Sequence, residues 1–214
     1  MFYKVQDILK YMGKLEDENL DILSCGNISV RLDKDKIAIK PSGLSYNEVN
    51  ISNISIVDLT GRQISGLKPS SDLASHLIVY KNKENINCII HSHSHYATVM
   101  STLVGSLKIF STIHADYFGR EIHSLPYINH RNNNFGQQLV NANEDVAFLE
   151  RHGTVVINES IEKAFKNIVV LEEISKINYD ILCFSKSIKQ INSKDVKILN
   201  HYYYKDYGQK YYIK

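Results

Sequence analysis

Three short runs rich in β-branched residues, Ile28 to Leu32, Lys36 to Lys40 and Ile54 to Leu59, constrain this chain most. They are punctuated by Asp-Lys-Asp, Pro-Ser-Gly and Thr-Gly turns, the pattern of hairpins in a sheet. Before them, Val5, Ile8, Leu9 and Met12 recur at helical spacing and predict an amphipathic helix packed on the elements that come after it. After them, Ser70 and Ser71 introduce a helix, Ile86 to Ile90 fits a buried strand, and His95 to Val104 has helical character. Val146 to Leu149 and Thr154 to Ile157 predict strands around a turn at His152-Gly153. Ile161, Ala164, Phe165, Ile168, Leu171, Ile174 and Ile177 mark the buried face of a long helix. The alternation of helix and strand continues towards the end.

With 214 residues, 43% of them hydrophobic, and only three prolines, residues 1–214 fit one compact domain without repeat or low-complexity linker. The 25 Lys and Arg nearly balance the 23 Asp and Glu, so the chain lacks the field that would draw it to nucleic acid or an anionic membrane. Any phosphate must be held locally. Cys25, Cys88 and Cys183 are few and far apart, matching neither a disulfide framework nor a thiolate metal site, and the expected compartment is a reducing cytoplasm. The mixed charges between Met1 and Leu20 fit neither a secretory signal nor a membrane span.

His91-Ser92-His93 closes the apolar run Cys88-Ile89-Ile90. In a strand, residues i and i+2 project to the same side, so the two imidazoles aim at one spot, either a two-ligand arm for a divalent ion or a His-rich surface turn. His152, in the turn Glu150-Arg151-His152-Gly153-Thr154, can reach inward where glycine lets the backbone bend, or can merely end a strand. Three imidazoles leave a coordination position open for substrate, as a catalytic ion needs. Pro69-Ser70-Ser71-Asp72 precedes a helical pattern and either caps it or offers its free N–H groups to an anion. Pro41-Ser42-Gly43 and Gly26-Asn27 are further tight turns. Asp116, within Ser111 to Gly119, either caps a helix or serves as an acid. The ending from His201 to Tyr212 is aromatic and mildly basic, suiting a packed helix or a subunit contact better than nucleic acid.

Taken in order, Gly26-Asn27, Lys40-Pro41-Ser42-Gly43, Lys68-Pro69-Ser70-Ser71-Asp72, His91-Ser92-His93, His114-Ala115-Asp116-Tyr117-Phe118, His152-Gly153 and the tyrosine-rich ending resemble the class II aldolase/adducin family. Within it, they are most similar to the L-ribulose-5-phosphate 4-epimerases. The resemblance implies an α/β fold with helices around a central, mainly antiparallel sheet, and a homotetramer with fourfold symmetry and active sites at subunit interfaces. It implies one divalent ion per subunit, zinc with manganese or cobalt as alternatives, held by Asp72, His91, His93 and His152. Ser42, Gly43, Ser70 and Ser71 would hold the phosphate, Asn27 and Lys40 would surround the substrate, and His201 would line the site. Asp116 and Tyr212, the latter from a neighbouring subunit, would be the acid/base pair.

The implied reaction inverts C4 of a ketopentose phosphate, L-ribulose 5-phosphate to D-xylulose 5-phosphate, by retro-aldol cleavage and re-addition at a Lewis-acidic ion. The alternative within the same family is a sugar-phosphate aldolase of the fuculose-1-phosphate type, or an epimerase of another phosphorylated ketose. Residue 72 separates the two, because the aldolases look to have Glu where this chain has the shorter Asp72. The sequence departs from the epimerase pattern at Ile113, in a shortened segment 129–144, and near Asn134, where a carboxylate is missing. Its tail aligns loosely, so Tyr211 or Tyr207 could hold the role given to Tyr212.

Overall fold

The computed structural model describes residues 2–23, 25–129, 135–184 and 187–208. The predicted opening helix is α1 (Phe2–Asp17), and the hairpin region gives β1 (Asn27–Arg31), β2 (Lys36–Ile39), β3 (Ser55–Asp58) and a short β4 (Gln63–Ser65). Then come α2 (Leu73–Asn82), β5 (Cys88–Ser92), α3 (His95–Leu103), β6 (Ser106–Leu107), α4 (Thr112–Phe118) and β7 (Ile122–Leu125). The chain continues through α5 (Phe135–Ala142), β8 (Val146–Leu149), β9 (Gly153–Asn158), α6 (Ile161–Phe184) and α7 (Ser193–Lys205). Among the described residues, no helix is long and apolar enough to cross a membrane.

The strands form one nine-stranded sheet in the order β4-β3-β2-β1-β5-β9-β8-β7-β6. Every pairing is antiparallel except β7 with β8, where α5 supplies the crossover that a parallel pair requires. Strand alternation divides the core into two layers. Cys88, Ile90, Phe148 and Val156 face the layer formed with α1, α3 and α6. Ile89, Ala147, Val155 and Ile157 face the layer formed with α2 and α5. The central strands β5 and β8 are buried at every position, which explains why they read as continuous apolar runs rather than as alternation.

Several elements went unforeseen. The strands β4 and β6 are three and two residues long, too short for a periodic signal, and the four-residue β7 buries only its two ends, Ile122 and Leu125. The helix α5 has no counterpart in the sequence reading, and α7 begins eight residues before the His201 end for which a packed helix is one expectation. The N-cap of α4 is Ser111, so the capping role considered for Asp116 is replaced by a place inside the helix.

Helices α2 and α5 cover the layer behind the histidines, and Gly136 sets their spacing. A Cβ at position 136 would lie 2.1 Å from the backbone oxygen of Ser75, and backbone on both sides leaves no flexible group to yield. Gly136→Ala should therefore push α5 off α2 and destabilise the protein by about 1–3 kcal/mol, as overpacking does. Urea unfolding checks this, and an unchanged midpoint would contradict it.

Candidate metal centre

The antiparallel pairing of β5 with β9 sets Ser92 opposite Thr154, so the end of β5 lies beside the β8–β9 turn that carries His152. The rings of His91 and His93 are 4.5 Å apart between centroids, His91 and His152 4.8 Å, and His93 and His152 5.0 Å. One donor atom from each lies within 4.8 Å of the others. The turn is tight for two reasons. Arg151 adopts φ 59°, a left-handed conformation uncommon outside glycine. At Gly153, a Cβ would stand 2.5 Å from the Ser92 backbone oxygen and 3.2 Å from the His93 ring, so glycine is needed for close approach, while the bend sits two residues earlier.

The ligand form of His91 is set by its partner. Its Nδ1 is 2.8 Å from the Thr154 backbone oxygen, and a carbonyl can only accept, so Nδ1 carries the proton and Nε2 keeps its lone pair. Burial first, and then the neighbouring His93, pull the His91 pKa down to about 4 despite Asp72, which keeps the ring neutral as a ligand must be. Asp72 Oδ2 lies 3.9 Å from His91 Nε2 and accepts a 2.6 Å hydrogen bond from Asn27 Nδ2. Although Asp72 stands at the N-cap of α2, its side chain makes no cap hydrogen bond; the carboxylate is turned to the histidines instead of to the helix. The donor chemistry fits a divalent ion.

Asn27, paired with His91 across β1 and β5, is 2% exposed. Among the described residues its Oδ1 is buried without a hydrogen-bond partner, and an orphaned acceptor of this kind costs about 1–3 kcal/mol unless a ligand or water meets it. The two serine-bearing loops are zipped together: Ser42 N donates to Lys68 O at 2.9 Å, Ser70 N to Lys40 O at 3.0 Å, and Pro41 bridges Pro69. Ser42, Gly43 and Ser71 are exposed and Ser70 is 9% exposed, so the zipper that takes up the backbone N–H groups of Ser42 and Ser70 sets the serine hydroxyls at or near the surface. Lys40 is buried, with its Nζ 5.3 Å from the Tyr46 ring. Desolvation lowers its pKa, against the pull of Asp21.

Two residues near the centre escaped the sequence reading. His76, four residues after Asp72 on α2, is fully buried, with Nδ1 2.7 Å from Ser29 Oγ, which in turn meets Tyr80 OH at 2.8 Å. Its i, i+4 relation to Asp72 was the available signal. Asp21 lies in the loop after α1, where its Oδ1 accepts from His93 N at 3.2 Å and faces His93 Nδ1 at 3.4 Å. No local pattern announces a contact across 72 residues.

The remaining candidates lie elsewhere in the chain. A cleft of about 1250 Å³ runs between α4, α7 and the ends of β8 and β9 remote from the histidines, and Tyr117, Asn158, Asn200, Tyr203 and Tyr207 line it. Asp116 belongs to this end: Asn200 Nδ2 donates to its backbone oxygen at 2.7 Å, and desolvation raises its carboxyl pKa. His201 is exposed on α7. The structure thus brings Asp72, His91, His93, His152 and Asn27 together and leaves Asp116 and His201 apart from them within one chain. Tyr211, Tyr212 and Asn134 lie outside the described residues. His114, in the same motif as Asp116, is buried with Nε2 donating to the Arg120 backbone oxygen at 2.9 Å, a structural tie across the end of α4.

Residues 6–179 match the family described as Class II Aldolase and Adducin N-terminal domain. The chain belongs to the class II aldolase and adducin family. It is 32% identical over 182 residues to an L-fuculose phosphate aldolase of Methanococcus vannielii, covering 85% of this chain and 99% of that protein. It is 29% identical to a 3-oxo-tetronate 4-phosphate decarboxylase of Haemophilus influenzae, covering 82% and 86%. A solved L-fuculose 1-phosphate aldolase structure superposes with a TM-score of 0.84 at 26% identity, covering 93% of this chain and 95% of its own. Membership confirms the resemblance drawn from the motifs and the expected sheet architecture flanked by helices.

If these imidazoles form the family's metal centre, the protein binds about one Zn²⁺ per chain, and His93→Ala weakens binding on the order of 100-fold, because it leaves the ion one imidazole donor short. Equilibrium dialysis with metal analysis checks both, and tight binding retained by His93→Ala would contradict the assignment.

Proposed function

We propose that the protein is a metal-dependent class II sugar-phosphate aldolase that cleaves a carbon–carbon bond of a phosphorylated ketose and, in reverse, joins the fragments. The convergence of three imidazole donors beside two hydroxyl-bearing loops carries this reading. The names of its relatives support it, since aldolases of phosphorylated deoxyketoses recur among them. They favour aldol cleavage over the C4 epimerisation that the motifs first suggested.

A divalent ion, zinc foremost, would be held by His91, His93, His152 and Asp72 and would supply Lewis-acid stabilisation of the negative charge left on the ketone fragment as the bond breaks. The chain's own residues do the rest. Thr154 fixes the His91 tautomer, and Asn27 holds the Asp72 carboxylate while its buried Oδ1 is ready to accept from a substrate hydroxyl. Ser42, Gly43, Ser70 and Ser71 present donors for the phosphate, with the buried Lys40 cation behind them. Asp116 and Tyr212 are the proposed proton-transfer pair, and His201 lines the same site. The separation of Asp116 and His201 from the histidines within one chain suits an active site completed by a neighbouring subunit, and a homotetramer is the assembly proposed for it.

A second reading is retained on one observation. Asp72 is a short carboxylate already engaged by Asn27 at 2.6 Å, which limits its reach as a proton donor to carbon and suits an epimerase that keeps both fragments bound. Product analysis separates the two. The zinc-loaded protein, incubated with a panel of ketose 1- and 5-phosphates and followed by NMR, should release a free aldehyde and a three-carbon ketone fragment. Inversion at C4 without free fragments would replace the aldolase by the epimerase. In that case Asp72→Glu, longer by one methylene, should raise the ratio of cleavage to epimerisation while lowering the overall rate.

A further inference from the structure

We propose that Asp21 is the positioning residue for His93: its carboxylate selects the ring tautomer and orientation that make His93 a ligand. The inference rests on the metal reading above and concerns a residue outside the motifs that identify the family. The side chain of Asp21 is 1% exposed, and both of its oxygens face N–H groups, of Gly26 on one side and His93 on the other. A carboxylate kept ionised in such a place accepts hydrogen bonds and cannot donate them.

Each Asp21 oxygen has its task. Oδ2 accepts from Gly26 N at 2.7 Å, fixing the turn that starts β1. Oδ1 accepts from the backbone N of His93 at 3.2 Å and faces Nδ1 of the same residue at 3.4 Å, long for a hydrogen bond but aimed at the ring. With an acceptor in front of Nδ1, the proton resides there and the Nε2 lone pair turns to the cluster. Thr154 does the same for His91. The two neighbouring ligands are thus oriented by different devices, a backbone carbonyl and a buried carboxylate, and such outer partners commonly contribute 10–100-fold in metal affinity. The Ser92 hydroxyl, which donates to the Leu20 carbonyl, holds the Asp21 loop against β5.

Asp21→Asn tests the role, because it keeps the size while exchanging one acceptor for a donor. An amide N–H facing Nδ1 favours the opposite tautomer, with Nε2 protonated and unable to bind. The probe is Zn²⁺ alone, with affinity read by chelator competition on the full-length chain, and ring ¹⁵N shifts are read on the metal-free protein at about pH 8, where imidazoles are neutral. In the wild type, His93 should be protonated at Nδ1. In Asp21→Asn, Zn²⁺ affinity should fall about 10–100-fold, and the ring signals of His93 should shift while those of His91, held by Thr154, stay in place.

Wild-type affinity in Asp21→Asn would overturn the proposal, as would equal disturbance of His91 and His93, which would mark a merely structural role. Should Asp21→Asn fail to fold, the wild-type spectrum decides alone: a proton on Nε2 of His93 overturns the inference. Absence of Zn²⁺ binding by the wild type would instead defeat the metal reading itself, and this inference with it.

Discussion

The site depends on the register of one strand. β5 pairs antiparallel with β1 on one side and β9 on the other, and that alignment places Asn27 opposite His91 and brings the β8–β9 turn alongside Ser92 and His93. A slip of one residue would turn His91 to the opposite face of the sheet, away from Phe135, whose ring lies 5.8 Å from it, and from Asp72. The fully buried Cys88, Ile89 and Ile90 hold the register, since each fills a core layer that its neighbour in sequence could not fill. Core packing and ligand placement are therefore the same constraint.

The region around the ion site is held by partners distant in sequence. The N-terminus of α3, which begins two residues after His93, receives the Glu172 carboxylate from α6 on the backbone N–H groups of Tyr96 and Ala97, at 2.8 and 2.9 Å. These charge-assisted caps satisfy a helix start that its own Ser94 does not cap. Behind α2, the buried chain from Tyr80 through Ser29 to His76 ties the helix carrying Asp72 to β1. Burial pulls the His76 pKa to about 4, so a neutral ring sits next to the site and adds no positive charge to compete with a cation.

What could be read in the sequence was what repeats locally. The i, i+2 histidines at a strand end, the glycine after His152 and the apolar stripe of α6 each announce themselves within a few residues, and the ordered motifs together disclosed the family. What could not be read depends on long-range packing. Asp21 meets His93 from another loop. Asp72, which faces His91 rather than capping α2, is held there by a hydrogen bond from Asn27, 45 residues away. Asp116 sits in a helix for which Ser111 is the cap, at the end of the sheet remote from the histidines, which no spacing rule on one chain could have indicated.

The central claim is that His91, His93 and His152 together ligate one catalytic divalent ion. Zinc-edge X-ray absorption on the protein loaded with one equivalent of Zn²⁺ tests it most directly. The account predicts three imidazole nitrogens at about 2.0–2.1 Å with the remaining positions filled by oxygen. A sulfur shell at about 2.3 Å, or fewer than three imidazoles, would contradict it.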